Sequence, residues 1–345
     1  MKLWDYDPET LLPNLPQMVT FPKCHDFYRD WEKDLRSKGV DIRLETDVTA
    51  IKSRNKHGVT LTTASFDQNQ GKKDPKGGDR PGGHSGHEKE EKYDELILCV
   101  LADDALKVLG KSATWKERFV LGGAYFYDDI TITHSDSDYF SKNFETHYKP
   151  ELCAPAKSKA QEQQIAFSKG EIDQNDDGEA AGYRPMYYTH SYKEDMKKIE
   201  MAFDCTNYQH QFRQPHSKPP QPHHDHVFQS IFLDKNNSHL WTWDSIDPDK
   251  IIIRKWWHQL GHRWQHYVRV VPGMMFLQGK NKTMFCGSWN LVNMHEMACV
   301  SGIAAAWRLG AEYEVFDDFA EDLFQKYVLI NHGKVYRAKS KQKQS

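Results

Sequence analysis

The sequence predicts a mixed α/β (α+β) chain in which a sheet-rich domain is inserted between two parts of another. Three observations carry that expectation. Apolar residues recur at helical spacing near both ends of the chain. The middle holds β-forming segments separated by long polar loops. Near the C-terminus an apolar strand runs through a glycine turn into a helix of small residues.

Near the start, Phe27, Trp31 and Leu35 stand four residues apart and predict an amphipathic helix over His25–Lys38, stopped by Gly39. Val40–Leu44 alternates as a strand, and Val48–Lys52 and Gly58–Thr63 follow as two more. Glu95–Leu101 is a short apolar strand expected to be buried on both faces. It leads into a helix over Ala102–Leu109, with Asp103 and Asp104 at its positive end. Tyr125–Thr133, Met186–Thr189, Lys198–Phe203 and Val227–Leu233 predict an antiparallel sheet. In the last third Ile251–Trp257 reads as a strand, Thr283–Gly287 as a short buried strand, and His295–Leu309 as a helix ended by Gly310. A final helix over Asp317–Leu329 carries Phe319, Leu323 and Tyr327. The polar stretches 66–92, 156–182 and 211–226 read as flexible surface insertions.

Composition narrows the function. The 345 residues carry 46 Lys+Arg against 49 Asp+Glu, a net charge of −3, which excludes the basic field of a nucleic-acid partner. No apolar run approaches the roughly 18 residues of a membrane span. Asp5, Asp7 and Glu9 stand where a signal peptide needs an apolar core. A soluble, intracellular and cytoplasmic protein is expected. The six cysteines form no CxxC pair and read as buried, reduced thiols.

Most chemistry is expected from the run Met284–Ala306, a strand, a Gly287 turn, a loop and a helix containing Ser301, Gly302 and Ala304–Ala306. A helix N-terminus presents unpaired N–H groups and partial positive charge, and small residues admit a flat ligand. Other clusters read more plainly. His223-His224-Asp225-His226 has metal-ligand spacing but follows prolines in a polar loop, so no metal is expected. Trp256-Trp257-His258 and His262–His266 read as core aromatics rather than an amine cage.

The run CGSW followed by MHEMACVSGIAAAWRLGA resembles the C-terminal flavin-binding signature of the FAD-dependent amine oxidase superfamily. Its His295-Glu296 pair is similar to a branch of FAD/NAD(P)-binding oxidoreductases. Segments 39–51 and 93–106 resemble that branch's flavin domain, and 133–136 and 205–209 its substrate domain. The resemblance implies a partial FAD-binding Rossmann-like domain (1–110, with the insertion 66–92, and 271–332), an inserted antiparallel-sheet substrate domain (111–270) and a basic tail (333–345). It implies FAD as cofactor, contacted by Val48 at the adenine and by Gly287, Ser288 and Trp289 along the pyrophosphate. The N–H groups of Glu296, Met297 and Ala298 would face the flavin ring, and His295 is the weak candidate for a catalytic group. The implied reaction is hydride transfer from a small organic substrate, an amine among the candidates, with a flavin-dependent isomerase or desaturase as an alternative. No GxGxxG is present, so the chain is also expected to be a truncated form, whose other reading is a non-catalytic binding module.

Overall fold

The computed structural model describes residues 23–67, 83–84, 88–152, 155–171, 182–183, 185–212, 222–314 and 317–337. Most of the first expected insertion and the end of the basic tail lie outside these residues. The chain is mixed α/β and divides into two units, each with its own core. One takes the described residues up to Ile42 together with Tyr127–His258. The other takes Arg43–Phe126 and Gln259 onward. No described helix is long and apolar enough to cross a membrane.

The first unit contains helix α1 (Cys24–Ser37), which ends in Gly39 at φ +87° as its sequence demands. Its expected apolar stripe forms, but no residue of the helix is buried, and Phe27 and Trp31 pack on each other at 6.1 Å instead. The heart of this unit is a five-stranded sheet of order β10-β6-β9-β8-β7. It comprises β6 (Phe126–His134), β7 (Tyr187–Ser191), β8 (Ile199–Asp204), β9 (Phe228–Ile231) and β10 (Ile251–Leu260). The β6–β9, β9–β8 and β8–β7 pairings are all antiparallel, as the spaced strands lead one to expect. Ile130, Ile132, Tyr139, Phe140, Phe228 and Phe232 fill its core. Phe140 stacks on Phe228 with centroids 4.1 Å apart.

The second polar stretch is not irregular throughout. Ser158 caps a helix over Lys159–Lys169 by accepting from the Gln161 N–H, and Gly170 closes it in the left-handed region. The third stretch ends in ordered backbone in which His226 is buried.

The second unit holds the sheet β1 (Thr46–Asn55), β2 (Gly58–Asp67), β3 (Gly83–His84) and β4 (Lys89–Tyr93), with β2 central. Val40–Leu44 forms no strand. Val40 and Leu44 are exposed, so their alternation has no face to bury, and the chain turns at Glu45, φ +50°. A separate two-stranded sheet pairs β5 (Leu96–Leu98) with β11 (Thr283–Phe285) in parallel, in register Leu96↔Thr283 to Leu98↔Phe285. The strand expected over 95–101 is therefore three residues long, and only Leu98 of it is buried. Helix α2 (Ala102–Leu109) follows β5, and α3 (Trp115–Leu121) begins in a capping box of Thr114 and Glu117. Glu117 also takes both guanidinium nitrogens of buried Arg54 at 2.7 and 2.8 Å, which ties β1 to α3. After β11 come α4 (His295–Arg308) and α5 (Asp318–His332), the latter burying Phe324, Tyr327 and Val328 rather than the Phe319–Leu323 line.

Candidate functional site

The carboxyl ends of β5 and β11 lie side by side, and each strand is followed by a helix: α2 directly, α4 after the Gly287 turn. Neither helix has a side-chain cap at its N-terminus, Leu101 or Met294. In α/β units this is where ligands bind, because strand ends and helix N-termini converge there. The first turns carry Asp103 and Asp104 on α2 and Glu296 on α4. Carboxylates at positive helix ends repel phosphate and favour hydroxyl donors.

The outer edge of β11 is closed by a side chain rather than a strand. The Gln278 amide accepts from the Phe285 N–H at 2.9 Å and donates to its carbonyl at 2.8 Å, so it pairs as a neighbouring strand would. Asn290 donates to the same carbonyl at 2.8 Å. At the turn, the Gly287 N–H donates to Ser301 Oγ at 2.9 Å, and Ser301 donates on to the Ala298 carbonyl at 2.6 Å. One buried hydroxyl thus fixes the turn to the second turn of α4. Behind it, His266 Nε2 holds the Leu291 carbonyl at 3.1 Å and so anchors the loop between the turn and the helix.

Gly287, Ser288, Trp289, His295, Glu296, Met297 and Ala298 are brought together on this turn and helix. Val48 lies on β1, half-exposed and in a different sheet. Gly287 has φ +140°, and a Cβ there would meet Trp289 Cδ1 and Nε1 at 2.8 Å. Trp289 is fully buried, and its indole N–H donates to the Val100 carbonyl at 3.0 Å. Glycine at 287 is therefore required by the ring of Trp289, and substitution by Trp would break the core before it tested any ligand. Ser288 Oγ bonds Asn293 Oδ1 at 2.9 Å. The Met297 and Ala298 N–H groups both donate to the Met294 carbonyl, at 3.0 and 3.2 Å. Met297 is buried, while His295 and Glu296 are exposed, with His295 Nδ1 3.8 Å from Cys299 Sγ. The open part is the outer face of α4, where His295, Cys299, Gly302 and Ala306 are exposed and no atom of the described residues lies within 4 Å of a Cβ built on Gly302.

Two side chains here escaped the sequence reading. Cys99, expected as a buried thiol, is exposed just past β5, beside buried Cys286, whose own S–H donates to the Ser301 carbonyl at 3.4 Å. The neighbouring Cys286 brings Cys99 down to about 7, although burial works the other way. The pair is separated by nearly the whole unit in sequence, so no spacing could have announced it. The same unit also has an apolar groove of about 400 Å³ lined by Trp115, Phe119, Val120, Val268, Arg269 and Phe276. It shares no residue with the turn or with α4.

In the first unit, strand β8 inverts its pattern. Ile199 and Met201 are 52% and 37% exposed, while Glu200, Ala202 and Asp204 face inward. Glu200 accepts from Tyr192 and is pushed by burial from 4.5 to about 7. Polar residues on the inner face of a strand, with apolar ones outside, mark a break in the local rules of folding that function commonly explains.

No family model matches the chain, and no curated protein matches it. Among solved structures it is similar to the crystal structure of a CLA-producing fatty acid isomerase from P. acnes, 11% identical with a TM-score of 0.37. The match covers 77% of this chain and 48% of that one, so the chain spans about half the length of that structure.

Proposed function

We propose that this chain is a flavin-dependent oxidoreductase of the amine oxidase type, with FAD held against the outer face of α4 and the carboxyl ends of β5 and β11. The observation that carries the reading is the parallel strand pair delivering two helices without side-chain caps to one place. A bound flavin would supply the acceptor for a hydride taken from a small organic substrate. The chain's own residues then have distinct tasks. Ser301 and His266 hold the turn and loop in place, so the first turn of α4 is presented in a fixed orientation. Gly302 leaves room for a flat ring against the helix, and the α4 dipole favours negative charge at that end. Cys99 stands at the end of β5 as an exposed, partly ionised thiol.

Fit is uneven along the expected contacts. Gly302 opens onto space a ring could fill, whereas the space beside Gly287 is filled by Trp289. That second observation favours a rival reading, a binding module that keeps the scaffold without catalysis.

The test is reconstitution of the purified chain with FAD, followed by gel filtration and an absorbance scan for the flavin bands at roughly 370 and 450 nm. Retention near one FAD per chain, lost in Gly302→Trp with unchanged circular dichroism, is expected. A colourless wild-type chain would overturn the proposal. With flavin retained, oxygen uptake on amines supports the oxidase, and substrate rearrangement without oxygen uptake replaces it by an isomerase.

A further inference from the structure

The inward acid at the end of β8 faces two histidines. Asp204 Oδ2 lies 2.7 Å from His226 Nδ1, and both side chains are almost fully buried. His223 joins them from the short turn 223–225, and one ligand-type atom from each of the three residues lies within 4.8 Å of the others. The Nε2 of His223 is buried and has no hydrogen-bond partner among the described residues. A buried ring nitrogen without a partner is a cost that folded chains rarely carry for nothing.

The scaffold around the three is rigid. The β8–β9 ladder continues past Asp204, with Cys205 N–H donating to the Val227 carbonyl at 2.9 Å and Val227 N–H donating to Thr206 Oγ1 at 2.9 Å. Asp204 is oriented by the Thr206 N–H at 3.2 Å and the Asn207 side chain at 3.1 Å, the outer bonds that metal-ligating carboxylates characteristically make. Phe228 and Phe140 wall the cluster, with ring centroids 5.0 and 6.2 Å from that of His223.

We infer that Asp204, His223 and His226 form a binding site for a divalent cation of the zinc class. Two imidazoles and one carboxylate are a donor set that Zn²⁺ accepts, and three protein ligands leave a fourth position for water or a substrate oxygen. The ligands come from both ends of the β8–β9 connection, so a bound cation also fastens that connection to the sheet. The site lies in the first unit and is independent of any flavin.

Zn²⁺ itself is the probe. The full chain, stripped with a chelator, is titrated with Zn²⁺ in competition with a chromophoric chelator, and Co²⁺ is used in parallel for its visible absorption. One tight Zn²⁺ per chain is expected, with a Co²⁺ spectrum of low coordination number. His223→Gln, on a half-buried turn, should weaken binding by at least about tenfold. His224→Gln, next door but exposed, should leave it unchanged. A thermal melt of each variant separates loss of binding from loss of fold. Absence of wild-type uptake at micromolar Zn²⁺, wild-type affinity in His223→Gln, or equal loss in His224→Gln would each overturn the site.

Discussion

Replacing Glu200 by Gln should stabilise the sheet unit at pH 8 by about 3 kcal/mol and change it by less than about 1 kcal/mol at pH 5. Glu200 is 1% exposed, its Oε1 has no hydrogen-bond partner among the described residues, and burial raises it from 4.5 to about 7 although Tyr192, Thr242 and Tyr139 pull it down. Between those two values the folded chain keeps a proton that the unfolded chain has released. Stability from this group is thus complete below about 4.5 and is lost as pH rises to about 7. At ~1.4 kcal/mol per pH unit the loss amounts to about 3 kcal/mol. Gln keeps the shape and an accepting oxygen but has no proton to lose. Buried His134 works in the opposite direction: burial lowers it from 6.5 to about 4, so its contribution to stability falls as pH drops below 6.5. Since His134 is common to both proteins, the difference between variant and wild type isolates Glu200. The assay is thermal unfolding of both across pH 4.5–8.5. A gain of roughly 6–12 °C at pH 8 corresponds to the energy above for a unit of this size. A difference that does not vary with pH, or a variant less stable than wild type at pH 8, would refute the reasoning.

Three further outcomes follow from other parts of the chain. Gly302→Ala should stabilise the second unit by about 0.5–1 kcal/mol in denaturant unfolding, since the helix interior gains a better former and the Cβ meets no described residue within 4 Å. A loss of stability would show that this face of α4 is covered. Arg54→Met should cost about 3–5 kcal/mol, because buried Glu117 would keep its charge without its partner. A cost under about 1 kcal/mol would mean Glu117 is solvated in the variant. Cys99 should react readily with iodoacetamide at pH 7, where it is about half ionised. Cys286→Ala removes the neighbouring thiol that lowers it and should slow that reaction roughly tenfold as Cys99 returns toward an ordinary thiol. Equal rates in the two proteins, followed by peptide mass spectrometry, would rule out Cys286 as the cause.

Local signals in the sequence were sufficient for much of the fold. Gly39 after α1 and the Asp317 cap of α5 set helix ends through bonds made within a few residues. The spaced strands of the middle third anticipated the antiparallel sheet, because alternation and turn residues are themselves local. Alternation failed where no face was available, at Val40–Leu44, and where tertiary contacts overruled it, at Ile199–Asp204, whose acids point inward and whose Ile and Met point out. The strand, turn and helix around Gly287 and Ser301 could be read from their order alone, but the reason for Gly287 could not. It lies in the fold of Trp289 back over the turn.

What only the tertiary structure decided is which distant residues meet. The register of β5 on β11 joins strands separated by most of the second unit and sets Cys99 beside Cys286. The β8–β9 pairing carries Asp204 to His226, with a ligand-type atom of His223 within 4.8 Å of both. A run of histidines in a polar loop has no fixed chemistry in the sequence, because its ligand geometry depends on an acid from another strand. Periodicity and caps are properties of neighbours along the chain. A site assembled across a sheet is a property of register, which is set by the packing of the whole unit.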